Sequence, residues 1–175
     1  MLERFLPSAR DTWTWQPMQL TDMAEISDIG YADFDAEFLG IFNPDVPYYI
    51  SNLCKGVIDQ MHDPLSVQLI VARSTVDNTI VAYGWIERGF KMPFSKDNMT
   101  EGRLAWIRQD LPTRVRITLM AQIIHQWWGW SVQTGADIMV NSTIRNSTSG
   151  FLNLHRQADF VIRGSIAYKR ITELK

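Results

Sequence analysis

The order of apolar periodicities along the chain predicts a domain that mixes helices and strands, of α+β or α/β class. Three segments carry that expectation. Residues 66–87 read as two β-rich runs joined by Val76-Asp77-Asn78, a hairpin pattern. Residues 113–133 carry a broad apolar stripe at helical spacing, as a helix lying on a sheet does. Residues 137–170 read as a strand, a polar turn, a short helix and a second strand.

The elements follow in order. Residues 1–12 have weak periodicity and read as an N-terminal arm ahead of a single domain over 13–175. Trp13 to Met18 alternates, as an edge strand would. Thr21 stands before Asp22 and Glu25, an N-cap with acidic residues in the first turn of a helix running to Ile29 or beyond. Asn43-Pro44-Asp45-Val46-Pro47 breaks the chain. From Tyr48 to Met61 a second helix carries Tyr49, Leu53, Val57, Ile58 and Met61 on one face, and His62-Asp63-Pro64 stops it. The hairpin strands are Ser66 to Ser74 and Thr79 to Glu87. Phe90 to Gly102 mixes polar and breaker residues with Met92, Phe94 and Met99 and reads as a long loop.

Arg103 to Leu111 reads as the third strand, and Pro112 pre-sets a helix start. In the long helix Thr113 to Gln133, Val115, Leu119, Ile123 and Trp127 share one face, which Ile117, Met120, Ile124 and Trp128 widen. Gly135 is its natural cap. Asp137 to Val140 is a compact strand, and the Asn, Ser, Thr and Arg residues from Asn141 to Ser149 punctuate. Phe151, Leu152, Leu154, His155 and Ala158 recur at helical spacing, Asp159-Phe160 closes that helix, and Val161 to Tyr168 runs out as a strand.

Composition narrows the function classes. A chain of 175 residues at 46% hydrophobic content can bury the core of one domain. A net charge of -2 argues against a sequence-independent nucleic-acid binder. No apolar run is long enough to span a bilayer, and Met1-Leu2-Glu3-Arg4 does not open a signal peptide. Cys54 stands alone, so it reads as a small buried apolar residue and the cytoplasm is the default compartment. His62, His125 and His155 are scattered without ligand spacing, so no metal site is expected. Three of the 7 tryptophans fall in Trp127-Trp128-Gly129-Trp130, which reads as core filling or, alternatively, as a partner surface or flat substrate pocket.

The stretch from Asp137 to Arg170 resembles the end of the GNAT N-acetyltransferase superfamily. There a strand is followed by an Asn-containing turn, a short helix carrying a Tyr, a Gly-Phe pair and a last strand. Here His155 stands five residues before Phe160, in the place of that Tyr, and Asp159 stands in the place of the Gly. The opening strand, the polar turn at Thr21 and the first helix are similar too, and the element order matches over nearly all of the chain after the arm. The resemblance implies a GNAT-like three-layer α+β domain with a mixed, mostly antiparallel sheet flanked by helices. It implies transfer of an acetyl group from acetyl-coenzyme A to an amine on a small molecule or protein. The chain also looks like small acetyltransferase-like proteins of tailed phages. That likeness implies the alternative of a catalytically degenerate structural or binding protein, in the host cytoplasm or the virion.

Site residues follow from the same resemblance. Coenzyme A binds in that family where the fourth strand meets the long helix, with backbone N–H groups of an Arg- and Gly-rich loop against the pyrophosphate. The matching segment, Asp110 to Leu119, has Pro112, Arg114 and Arg116 but no glycine, and β-branched Val115 and Ile117 crowd the backbone. Phosphate contacts are therefore expected from the side chains of Arg114, Arg116 and Thr118. The exposed strand around Trp106, Ile107 and Arg108 is expected to hold the thioester oxygen and the pantetheine arm. Asn146, with Ser147, would bond that arm or cap the short helix. His155 would protonate the leaving thiolate, for which a free pKa of about 6.5 is suited, or serve as a structural hydrogen bonder. Glu87 is the implied base, with Glu101 and Asp110 as further carboxylates.

Overall fold

The computed structural model describes residues 5, 7–8, 11–38, 42–143 and 149–163. Its elements are β1 (Trp13–Pro17), a 3-10 turn (Leu20–Asp22), α1 (Met23–Phe38), α2 (Val46–His62), β2 (Val67–Ser74), β3 (Ile80–Phe90), β4 (Met99–Ile107), α3 (Thr113–Gln133), β5 (Ile138–Asn141) and α4 (Ser149–Gln157). The five described strands form one open sheet in the order β1-β2-β3-β4-β5, antiparallel as far as β4 and parallel between β4 and β5. The fold is a three-layer α+β one with a mixed sheet, within the class that the sequence pattern predicts and with the layers and sheet that the resemblance implies.

Alternation along the strands sorts side chains between the two outer layers. Leu69, Val71, Tyr83 and Trp106 pack with Met23 and Ile26 of α1 and Leu53 and Val57 of α2. Ile70, Ala72, Ala82 and Ile86 pack with Leu119, Ile123 and Trp127 of α3. Leu154 of α4 joins Ala121 and Ile124 on the same side as α3, and Phe5 from the arm packs there. One buried polar group ties β1 to α3. Gln122 Oε1 accepts from Trp13 Nε1 at 2.9 Å and Trp15 Nε1 at 2.6 Å, while its Nε2 donates to Asp11 Oδ2 at 2.9 Å.

The ends of α3 and α4 are built alike. Gly135 (φ +69) follows α3, with Ala136 N–H donating to Ser131 O and Gly135 N–H to Val132 O. Asp159 (φ +64) follows α4, with Phe160 N–H donating to His155 O and Asp159 N–H to Arg156 O. Both pairs of bonds belong to the left-handed cap that glycine favours and that Asp tolerates.

Several sequence expectations need correction. Thr21 does not cap α1. A 3-10 turn comes first, and the Gln19 N–H donates to Asp22 Oδ2 at 2.7 Å. The expected long loop is shorter than Phe90 to Gly102, because β3 continues to Phe90 and β4 starts at Met99, so the connection is residues 91–98. The third strand accordingly spans Met99–Ile107, earlier than expected. Ile58 and Met61 are exposed, so the buried face of α2 runs through Val46, Leu53, Gly56 and Val57. Ile117 and Trp128 on α3 are also exposed. Val161–Arg163 lie outside any strand, and the remainder of the expected last strand lies outside the described residues.

Candidate functional site

The sheet forks between its last two strands. β5 pairs with β4 only from Met99↔Ile138 to Gly102↔Asn141. Beyond that point β4 continues to Ile107 with β3 alone on its other side. Its register against β3 shifts between Trp85 and Ile86, leaving Arg103 as an extra residue. Such a bulge bends and twists the strand that carries it, and this one falls just past the last β4–β5 pair. In an antiparallel ladder, alternate residues aim both backbone groups at the same neighbour. Arg108 N–H donates to Val81 O on β3 at 3.0 Å. Ala105 and Ile107, in the opposite phase, therefore present their N–H groups to the edge that β5 has left.

A cleft of about 900 Å³ occupies the parting, within the size range of small-molecule sites. Ala105 and Ile107 form one wall; Thr113, Arg116, Ile117 and Met120 of α3 form another. Phe151 and Leu154 of α4 face them, and Phe5 of the arm closes the apolar side. At the polar side Arg116 Nη1 donates to Gln109 Oε1 at 3.1 Å and Nη2 to Thr113 Oγ1 at 3.3 Å. Its Nε is buried without a hydrogen-bond partner among the described residues. The α3 N-terminus has no side-chain cap: Pro112 precedes it, and the Pro112 carbonyl accepts from Arg116 N–H at 3.1 Å.

No family model matches the sequence, and no curated protein matches it. Solved structures do. The ribosomal-protein-alanine N-acetyltransferase from Brucella melitensis biovar Abortus 2308 is similar with a TM-score of 0.61 and 14% identity, over 91% of this chain and 99% of that one. Glucosamine-6-phosphate N-acetyltransferase from Arabidopsis thaliana gives 0.64 and 8% over 93% and 100%. AAC(6')-Iy, in complex with the bisubstrate analog CoA-S-monomethyl-acetylneamine, gives 0.63 and 11% over 93% and 99%. The chain has a divergent GNAT acetyltransferase fold.

On this GNAT framework the expected site residues divide. Ile107 and Arg116 line the cleft. Trp106 points to the other layer, stacking on Tyr83 at 5.2 Å and donating to Asp33 Oδ2 at 2.9 Å. Arg108 is bonded to the β3 end, through Thr79 Oγ1 and Ile80 O, both at 2.7 Å. Arg114 is exposed away from the cleft wall, and Thr118 Oγ1 donates to the Arg114 carbonyl at 3.0 Å. Asn146 and Ser147 lie outside the described residues. Asp110 is exposed in the turn before α3.

Glu87 and Glu101 stand directly opposite one another on β3 and β4. Both neighbours of Glu101 belong to the α3 side: Thr100 Oγ1 bonds Ser131 Oγ at 2.7 Å, and Gly102 faces the Trp127 ring. The two carboxylates thus lie on the α1–α2 side of the fork. Arg103 spans them, at 3.2 Å to Glu87 and 2.8 Å to Glu101. The Glu101 bond raises the Arg103 pKa, so the clamp stays charged. Ala105, Gln109, Thr113 and Phe5 were not expected from sequence. Alternation around Trp106 contained the signal for Ala105; the weakly periodic arm contained none for Phe5.

His155 is 1% exposed and absent from the cleft wall. Its Nδ1 lies 2.8 Å from the Phe151 carbonyl, to which it donates, and its Nε2 accepts from Asn141 Nδ2 at 3.0 Å. The rings of Phe151 and Phe160 flank it at 3.9 and 4.8 Å. Burial pushes its pKa down from 6.5, against the smaller pull of the Phe151 bond. The linkage sign follows. Between the folded and unfolded pKa values the unfolded chain binds more protons, so stability falls as pH drops below about 6.5 and is complete above it. Urea midpoints measured from about pH 8 to pH 5 are expected to fall more steeply for the native chain than for His155→Phe. Equal slopes would assign the acid sensitivity to other groups.

Among the described residues no cluster of three or more His, Cys, Asp or Glu could hold a metal, and no helix is long and apolar enough to cross a membrane.

Proposed function

We propose that the chain transfers an acetyl group from acetyl-coenzyme A to an amine. The observation that carries this is the free β4 edge, which presents the Ala105 and Ile107 N–H groups to a cleft that also receives Arg116. Coenzyme A, when bound, supplies the acetyl group as a thioester. The strand-edge N–H groups would hold the pantetheine arm as a neighbouring strand is held, and would polarise the thioester oxygen. Arg116 fits the pyrophosphate: its Nε is unpartnered, and its two other nitrogens are already oriented by Gln109 and Thr113. Phosphate recognition thus moves from loop amides to a guanidinium, which explains how the segment works without glycine. On the opposite face, Glu87 with Glu101 would receive the amine's proton, directly or through water.

Arg116→Ala removes the charge-assisted bonds, each of about 1.5–3 kcal/mol. Coenzyme A affinity is expected to fall by about 10–100-fold in calorimetric titration. Absence of coenzyme A binding by the native chain would sink the proposal.

A further inference from the structure

Asn141 is both the last residue of β5 and the last to pair with β4. Its side chain does not follow the strand. It reaches α4, where Nδ2 donates to His155 Nε2 at 3.0 Å. That ring is fixed by its own helix through the Phe151 carbonyl at 2.8 Å. The end of β5 is therefore tied to a rigid group on α4, while β4 carries a bulge at Arg103, one residue past the last pair. Gly102 makes this arrangement fit. A Cβ on it would stand 2.5 Å from Asn141 Oδ1 and 2.6 Å from the Trp127 ring. Only glycine admits both groups at the level where the strands separate. Ser142 and Thr143, the next residues, line the cleft, as do Phe151 and Leu154, which precede His155 on α4.

We propose that Asn141, held by His155, is a positioning residue that sets where β5 leaves β4 and so fixes the width of the cleft. Its effect on ligand rests on the cleft being the coenzyme A site. The Asn141–His155 bond acts through the wall residues it orients and touches no reacting atom.

The test compares four full-length proteins: native, Asn141→Leu, His155→Phe and His155→Gln. Glutamine restores an acceptor near the position of Nε2. Two quantities are read, coenzyme A affinity by calorimetry and amide hydrogen exchange of residues 138–141. Asn141→Leu and His155→Phe are expected to bind coenzyme A at least about tenfold more weakly and to exchange faster, with folding retained. His155→Gln is expected to recover both to within about threefold of the native chain. Native-like affinity and exchange in the two bond-breaking variants would overturn the proposal. So would a glutamine variant that falls with them, because the bond would then not be what matters. If the native chain binds no coenzyme A, the proposed function fails separately. The exchange pattern then decides the positioning role, and unchanged exchange in Asn141→Leu and His155→Phe overturns it.

Discussion

Trp127→Ala is expected to lower stability by about 3–5 kcal/mol, the range for removing a buried large aromatic. Trp127 is 2% exposed in the layer between α3 and the sheet. Its ring lies across two strands at two glycines. A Cβ on Gly84 of β3 would sit 3.1 Å from Cζ2, and one on Gly102 of β4 would sit 2.6 Å from Cζ3. The usual relief after such a truncation is inward movement of neighbouring side chains, and these two floor positions have none. The cavity should persist, placing the loss in the upper part of the range. Urea unfolding measures it; a loss under about 1 kcal/mol would mean that the ring does not fill the floor described.

Gln122→Leu is expected to cost about 2–4 kcal/mol without any loss of volume, since each partly buried polar group left unpaired costs about 1–3 kcal/mol. Leucine fills the same space. It leaves the Trp13 and Trp15 indole N–H groups without their acceptor and takes one of the donors from Asp11 Oδ2, which keeps the Ser8 N–H at 3.1 Å. Gln122→Glu separates chemistry from shape. It keeps the acceptor for both indoles but sets a second carboxylate against Asp11, so it should also destabilise, and more at low salt. A neutral result for Gln122→Leu in thermal unfolding would show that water satisfies these groups at no net cost.

Much of the fold was legible because its strongest signals are local. The bounds of α3 follow from Pro112, the apolar stripe and Gly135, which act within single turns of chain. The hairpin of β2 and β3 follows from two β-rich runs and a polar turn. Phe90 to Gly102 was misread because its ends look like loop residues until packing is known. Gly102 is a breaker in isolation, yet here it is the residue that two neighbours require. Thr100 is polar in isolation, yet it is buried against Ser131.

The site was less legible for a related reason. The resemblance pointed to Trp106, Ile107 and Arg108, but a strand has two phases, and only its register with β3 decides which residues meet the cleft. Arg108 looked available to the pantetheine edge because its partners, Thr79 and Ile80, lie far away in sequence. Arg116 was identifiable from the resemblance, whereas its partners Gln109 and Thr113 needed the turn into α3 to be seen.

β4 assigns its two duties to alternate residues. Leu104 and Trp106 belong to the core beside α1 and α2, and Ala105 and Ile107 belong to the cleft. In the proposed binding mode the β4 cleft residues would act through backbone N–H groups, and their side chains would not be the recognition elements. Their identities would then be free to vary within limits of size, and the core residues could vary independently under the demands of packing. A strand organised this way allows nearly every letter of its sequence to change while its shape and its backbone edge stay the same. The same fold occurs here at 8–14% identity to solved structures.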